Sequence, residues 1–390
     1  MKIAICVVCY NRPDSLKRVL SSLEKAYYDE PVTLIISIDK SKTTAVEDYA
    51  DQYKWDHGEL RVIKHKENLG LRKHILSIGD FLKQDYEAVV VLEDDITVSP
   101  NFMRYTRQCV EKYCNDDRIA GISLYKSVIN SNSRMPFHPL KNEYDVFFVK
   151  YAMSWGQVWM RKQWLAFKKW YDLNSKPFCL NYLPRNINQW SNKSWLKYHI
   201  RYCLECDKYF VFPYDSHSTN NDDTGTHITM QRTINQTMMV DYPILHYCLP
   251  SFDEQHIKYD TFFDPLFLAK HLGVNDKELT VDLFGQKHES TYHRYVLSLQ
   301  ALPYEIIDSY ALRLKPLEQN IIQKIKGDGI FLYDTNIKST RPQKIFYPKI
   351  FEYFFGEAYK HVISNYPATM ILKDILRNKL IEFKHFVQNR

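Results

Sequence analysis

Three consecutive carboxylates, Glu93, Asp94 and Asp95, follow directly on the apolar run Ala88–Leu92. Like charges repel, and a buried Val/Leu strand has no packing use for them, so the arrangement calls for a cation. In open α/β sheets, ligands bind at the carboxyl ends of strands. Adjacent carboxylates there suit a hard divalent ion that keeps several waters and takes its remaining ligands from a substrate diphosphate. The alternative is an acidic turn capping the next helix, since Ser99-Pro100-Asn101 reads as a helix start.

Other residues could join that chemistry. Tyr10-Asn11-Arg12 follows the first apolar run, and Arg12 can reach a base or a phosphate. Asp39 ends the second run and can accept hydrogen bonds from a base or ribose; either residue alone is equally well a solvated strand end. Trp155 and Trp159 flank Gly156, which describes either a wall for a flat ligand or an ordinary aromatic core segment. The stretch from Asp215 to His227, with His217, Asp222 and Asp223 between, is polar and contains Gly225, as a functional loop does. Its histidines could complete a metal shell or hold a phosphate, or the stretch is a solvated surface loop. No G-x-G-x-x-G follows the first run, so a dinucleotide site is not supported.

The elements that must carry these residues follow from periodicity. Ile3 to Cys9 reads as a first strand, and Leu16, Val19, Leu20 and Leu23 recur at helical spacing after Pro13. Strands are expected over Val32–Ile38, Leu60–Lys64, Ile119–Leu124, Asp145–Val149 and Tyr209–Pro213, and helices over Leu71–Leu82, Arg161–Tyr171 and Trp195–Glu205. Strands alternating with helices before residue 95 imply a mainly parallel sheet with right-handed crossovers. Residues 260–340 read as helices with connecting loops, and 341–390 alternate Lys or Arg with Phe, Tyr, Ile and Leu. That tail reads either as a basic amphipathic surface for anionic lipid or as a helical cap.

Bulk properties narrow the class. The chain has 390 residues, a net charge of +6 and 15% aromatic residues, an excess too small to argue for nucleic acid. No window approaches the roughly 18 consecutive apolar residues of a membrane helix, and the mean hydropathy of −0.42 agrees. The apolar N-terminus runs straight into Asn11-Arg12-Pro13 and reads as a buried strand rather than a signal peptide, which implies a cytoplasmic protein. Eight scattered cysteines, with a lone Cys203-x-x-Cys206, read as reduced structural thiols.

In this order the pieces resemble the GT-A glycosyltransferases of the family 2 type, with similarity to the N-acetylglucosaminyltransferase I family and its bacterial relatives. The carriers are Cys9–Pro13, Asp39, Asn68-Leu69-Gly70-Leu71-Arg72, Val91–Asp95 with Ser99–Phe102, Ser154-Trp155-Gly156 and the Asn221–His227 loop. The resemblance covers about residues 1–250 and implies an α/β GT-A domain there, with 251–390 a mainly helical extension facing a membrane or a partner. It implies transfer of a sugar from a nucleotide-diphosphate donor, UDP-linked by family, to a saccharide or lipid-linked saccharide during surface polysaccharide assembly, with inversion. Asp95 would ligate Mn2+ or Mg2+, joined by His227. Glu93 and Asp94 would hold the donor sugar or ribose, and Asn11, Arg12, Asp39, Arg72, Trp155 and Gly156 would line the nucleotide-sugar site. An inverting transferase needs a base for the acceptor hydroxyl. The stretch Trp190–Trp195, where relatives place an acid, has no carboxylate, so Asp222 and Asp223 are the candidates.

Two other classes compete. A sugar-nucleotide nucleotidyltransferase would carry a Gly-rich basic loop after the first strand, which Asn11-Arg12-Pro13 does not supply. A non-catalytic glycan-binding scaffold would keep the acidic triplet and lack the base.

Overall fold

Strand β1, Ile3–Cys9, is buried at all seven positions, the pattern of a central strand covered on both faces. In the computed structural model, which describes residues 1–223, 235–340, 347–365 and scattered positions between 367 and 380, it lies in a nine-stranded sheet. Parallel neighbours flank it: β2 (Thr33–Ile38), then β3 (Leu60–Lys64) on one side, and β4 (Ala88–Glu93) on the other. A short ribbon strand β5 (Ile96–Val98) follows β4, and the sheet continues through β6 (Ile119–Ser123), β7 (Val146–Val149), β8 (Gln157–Met160) and β9 (Tyr209–Pro213). With β10 (Ser218–Asn220) paired to β5, and β11 (Lys258–Tyr259) at the far edge, the sheet order is β11-β7-β9-β6-β8-β4-β1-β2-β3. Five of its eight pairings are parallel, and β8 enters antiparallel between β4 and β6. This is the expected mixed, mainly parallel α/β layering.

The helices pack where their apolar faces direct them. Leu16, Val19, Leu20 and Leu23 of helix Pro13–Glu24 are all buried. The helix expected over Leu71–Leu82 is instead two, Gly70–Ile78 and Phe81–Gln84. At the break, a Cβ on Gly79 would stand 1.8 Å from the Trp164 ring, so the missing side chain admits that indole from helix Arg161–Asn174.

The chain divides into two units, Met1–Phe267 and Leu268–Arg390. The first extends beyond residue 250 because β11 pairs with β7. The reading of the region 260–340 as helices with connecting loops needs correction. Its described part is built on a four-stranded sheet, β12 (Leu279–Val281), β13 (Tyr295–Ser298), β14 (Tyr304–Tyr310) and β15 (Ile330–Lys338), ordered β12-β13-β15-β14. β12 and β13, of three and four residues, are too short to display a period of two, while in the longer β14 and β15 the apolar residues run in blocks interrupted by Asp308, Ser309 and Asp334. Helices Tyr347–Phe355 and Ala358–Asn365 follow the sheet. Among the described residues no helix is long and apolar enough to cross a membrane.

Candidate active site

Val8 of β1 lies opposite Glu93 of β4 in parallel register, so the turn after β1 and the acidic triplet emerge side by side at one sheet edge. Arg12, at the start of helix Pro13–Glu24, turns its guanidinium onto the triplet. It donates to both Asp94 oxygens, to Asp95 Oδ2 at 3.4 Å and to the Asp223 carbonyl at 3.5 Å. Residues 12, 15 and 18 share a helix face. From that face Ser15 Oγ donates to Asp223 Oδ2 at 2.6 Å, and Arg18 pairs with the same carboxylate. The β5–β10 ribbon delivers this loop. Asn221 donates from its backbone and from its side chain to the Asp95 carbonyl, each at 2.9 Å.

Burial sets the electrostatics. Asp94 and Asp95 are 3% and 8% exposed, and one guanidinium stands against three carboxylates. Among the described residues Glu93 has no hydrogen-bond or ion-pair partner; burial, then the charges of Asp95 and Asp94, push its carboxyl up to about 8. Burial raises Asp94 to about 6 against the pull of Arg12, and raises Asp95 as well. This charge imbalance fits a divalent cation. Among the described residues no three His, Cys, Asp or Glu side chains form a metal cage. An ion held by one or two carboxylates, water and diphosphate oxygens fits that donor set.

Residues 4–166 match the model of glycosyl transferase family 2. The triplet, Arg12 and Trp155 all lie within that family region. No curated protein matches the chain. Among solved structures, Staphylococcus aureus TarS 1–349 in complex with UDP-GlcNAc is 16% identical, with a TM-score of 0.37 over 60% of this chain and 62% of that one. GalNAc-T7 with UDP, GalNAc and Mn2+ is 14% identical, with a TM-score of 0.36 over 54% and 42%. The mannosyltransferase PcManGT from Pyrobaculum calidifontis, with GDP-Man and Mn2+, is 12% identical, with a TM-score of 0.31 over 41% and 45%. The chain spans less than two thirds of the length of each.

The family region holds most of the other expected residues, in different states. Asn11 is exposed at the turn before Arg12. Asp39 is 4% exposed, and its carboxylate accepts from the backbone N–H groups of Lys40, Leu69 and Gly70 at 2.9, 2.8 and 3.0 Å. It pins the loop that opens helix Gly70–Ile78. Arg72 does not join the acidic edge. Its three guanidinium nitrogens donate to Tyr171 Oη and to the carbonyls of Asn192 and Ser175, and it stacks 4.1 Å over the Tyr198 ring. Arg72 therefore braces the Trp190–Trp195 stretch rather than facing a diphosphate there. Gly156, at φ +88°, turns the chain into β8, and a Cβ there would meet Ser218 Oγ at 3.0 Å. Ser218 Oγ in turn donates to the Trp155 carbonyl at 2.6 Å, so this turn backs the β5–β10 ribbon.

The two candidate bases also differ. Asp222 is 2% exposed, in the left-handed region at φ +49°, and accepts from the side-chain amides of Asn235 at 3.2 Å and Gln236 at 3.3 Å. Such a conformation in a non-glycine residue is held only where surrounding contacts over-determine it. Asp223 meets Arg18. His217 is a core residue, stacked 4.4 Å from the Tyr105 ring, and burial pushes it down to about 3. His227 lies outside the described residues. Sequence reasoning named Asn221 only as the start of a loop and missed Ser15, Arg18, Asn235 and Gln236. The spacing of Arg12, Ser15 and Arg18 on one helix face was a usable signal for the first two; the amides carried none.

Proposed function

We propose that this chain is a metal-dependent, inverting glycosyltransferase. It moves a hexosyl or N-acetylhexosaminyl group from a UDP-sugar to a saccharide or lipid-linked saccharide in surface polysaccharide assembly on the cytoplasmic side. The observation that supports this most is the convergence of Arg12 with Asp94, Asp95 and the Asp223 loop at the carboxyl ends of β1 and β4, within the region matching family 2.

Asp95, with Glu93 or Asp94, would hold the cation, and Mn2+ or Mg2+ bound there would supply positive charge against the leaving diphosphate. Arg12 is already drawn to the acidic edge and would contact the diphosphate. Asp39 shapes the nucleotide side by fixing the Leu69–Gly70 loop. Trp155 and Gly156 support the ribbon from behind. Among the described residues Asp222 meets neutral side-chain amides only and is the candidate to take the acceptor hydroxyl proton, while Asp223 fastens its loop to Arg18. The sugar carbon passes through an oxocarbenium-like state, as in glycoside hydrolysis.

Transfer and donor hydrolysis across UDP- and GDP-sugars with Mn2+ test this reading. Asp95→Ala should lower kcat/KM by about a thousandfold with the fold intact. Full turnover in that variant would refute the metal assignment.

A further inference from the structure

The charge of this chain is segregated. Residues 338–390 hold ten Lys and Arg against four Asp and Glu, an excess of six that equals the excess of the whole chain. The preceding 337 residues are therefore neutral on balance. The same segment carries a concentration of exposed large apolar side chains. Met370, Leu372, Leu376 and Leu380 are 58, 56, 60 and 60% exposed, and Phe355 is 40% exposed.

Helix Tyr347–Phe355 shows how the segment begins. One side is fixed to the second unit, with Tyr353 Oη donating to the Leu314 carbonyl at 2.6 Å and the Phe354 ring 5.7 Å from that of Phe284. Beyond it, no described residue of helix Ala358–Asn365 is buried. Leu372, Leu376 and Leu380 then recur every four residues, the spacing of one helical stripe, and Lys373 and Arg377 stand one position round from it. An apolar stripe bordered by cations fits a surface apolar below its headgroups and negatively charged at them.

We infer that the stripe of Leu372, Leu376 and Leu380, bordered by Lys373 and Arg377, is a docking surface for an anionic lipid bilayer. It holds the chain peripherally, with Leu372, Leu376 and Leu380 in the acyl boundary and Lys373 and Arg377 at the headgroups. Nothing in this inference depends on sugar transfer, so failure of either reading leaves the other standing.

The full-length chain is sedimented with vesicles of phosphatidylcholine alone or mixed with phosphatidylglycerol. It should pellet with the mixed vesicles, remain in solution with the neutral ones, and be released by high salt. Lys373→Glu with Arg377→Glu should weaken binding by about tenfold or more, and Leu376→Asp with Leu380→Asp should abolish it. All variants should keep the parent melting temperature. A chain that stays in solution with phosphatidylglycerol vesicles overturns the inference, as does undiminished binding by the Leu376→Asp, Leu380→Asp variant. A light-scattering mass that falls from dimer to monomer in that variant, with no vesicle binding by the parent, would assign the stripe to a second copy instead.

Discussion

Two strand ends on the same sheet edge carry carboxylates, and the fold treats them in opposite ways. After β2, Asp39 accepts from three backbone N–H groups, so its acceptor capacity is largely met within the protein. After β4, Glu93 has no partner among the described residues, while Asp94 and Asp95 share one guanidinium. Position at the carboxyl end of a strand is thus not what marks a reactive site. The mark is buried charge that the protein leaves unmatched, because such charge costs stability unless a ligand completes it.

The largest expected effect comes from removing the single cation. Arg12→Ala leaves the Asp94 and Asp95 carboxylates buried without a partner and should cost about 4 kcal/mol in denaturant unfolding. Added Mn2+ should recover much of that loss, since an ion binding only the folded state raises stability by mass action. Asp39→Ala orphans three backbone donors and should cost about 3 kcal/mol, with no recovery from Mn2+. Equal response of the two variants to Mn2+ would erase the distinction between the strand ends.

Acid probes the β2 side through His74. Its Nε2 lies 2.7 Å from Ser37 Oγ, and burial lowers it from 6.5 to about 4. The folded chain keeps this imidazole neutral where the unfolded chain would protonate it. The stability it contributes is therefore complete above pH 6.5 and lost as pH falls towards 4, about 3 kcal/mol. A His74→Gln variant should flatten that part of the stability profile measured by denaturant titration. The smallest effect belongs to Glu93→Gln, which removes a half-buried carboxyl group with no partner among the described residues and should raise stability by about 1 kcal/mol while impairing transfer. A loss of stability there would mean that Glu93 holds the fold together, as Asp39 does.

Much of the edge was legible in the sequence because its signals are local. A seven-residue apolar run announces β1, and the Val/Leu run into Glu93-Asp94-Asp95 announces both a strand and its charged end. Arg12 beside the triplet also followed once β1 and β4 were taken as neighbours in a parallel sheet. What escaped depends on partners distant in sequence. Asp39 meets Leu69 and Gly70 thirty residues on, and Arg72 is drawn away by Tyr171, Ser175, Asn192 and Tyr198. Strand β8 escaped because its four residues, Gln157–Met160, lie in an aromatic run without alternation. The sheet of the second unit escaped because β12 and β13 are only three and four residues long, and because polar residues interrupt the apolar runs of β14 and β15.

Calorimetric titration of UDP into the protein, with and without Mn2+, tests the central claim most directly when parent and Asp95→Asn are compared. The unmatched charge after β4 predicts that Mn2+ tightens UDP binding to the parent by at least about tenfold and leaves Asp95→Asn unchanged. UDP affinity indifferent to Mn2+ in the parent, or an undiminished Mn2+ effect in Asp95→Asn, would contradict it.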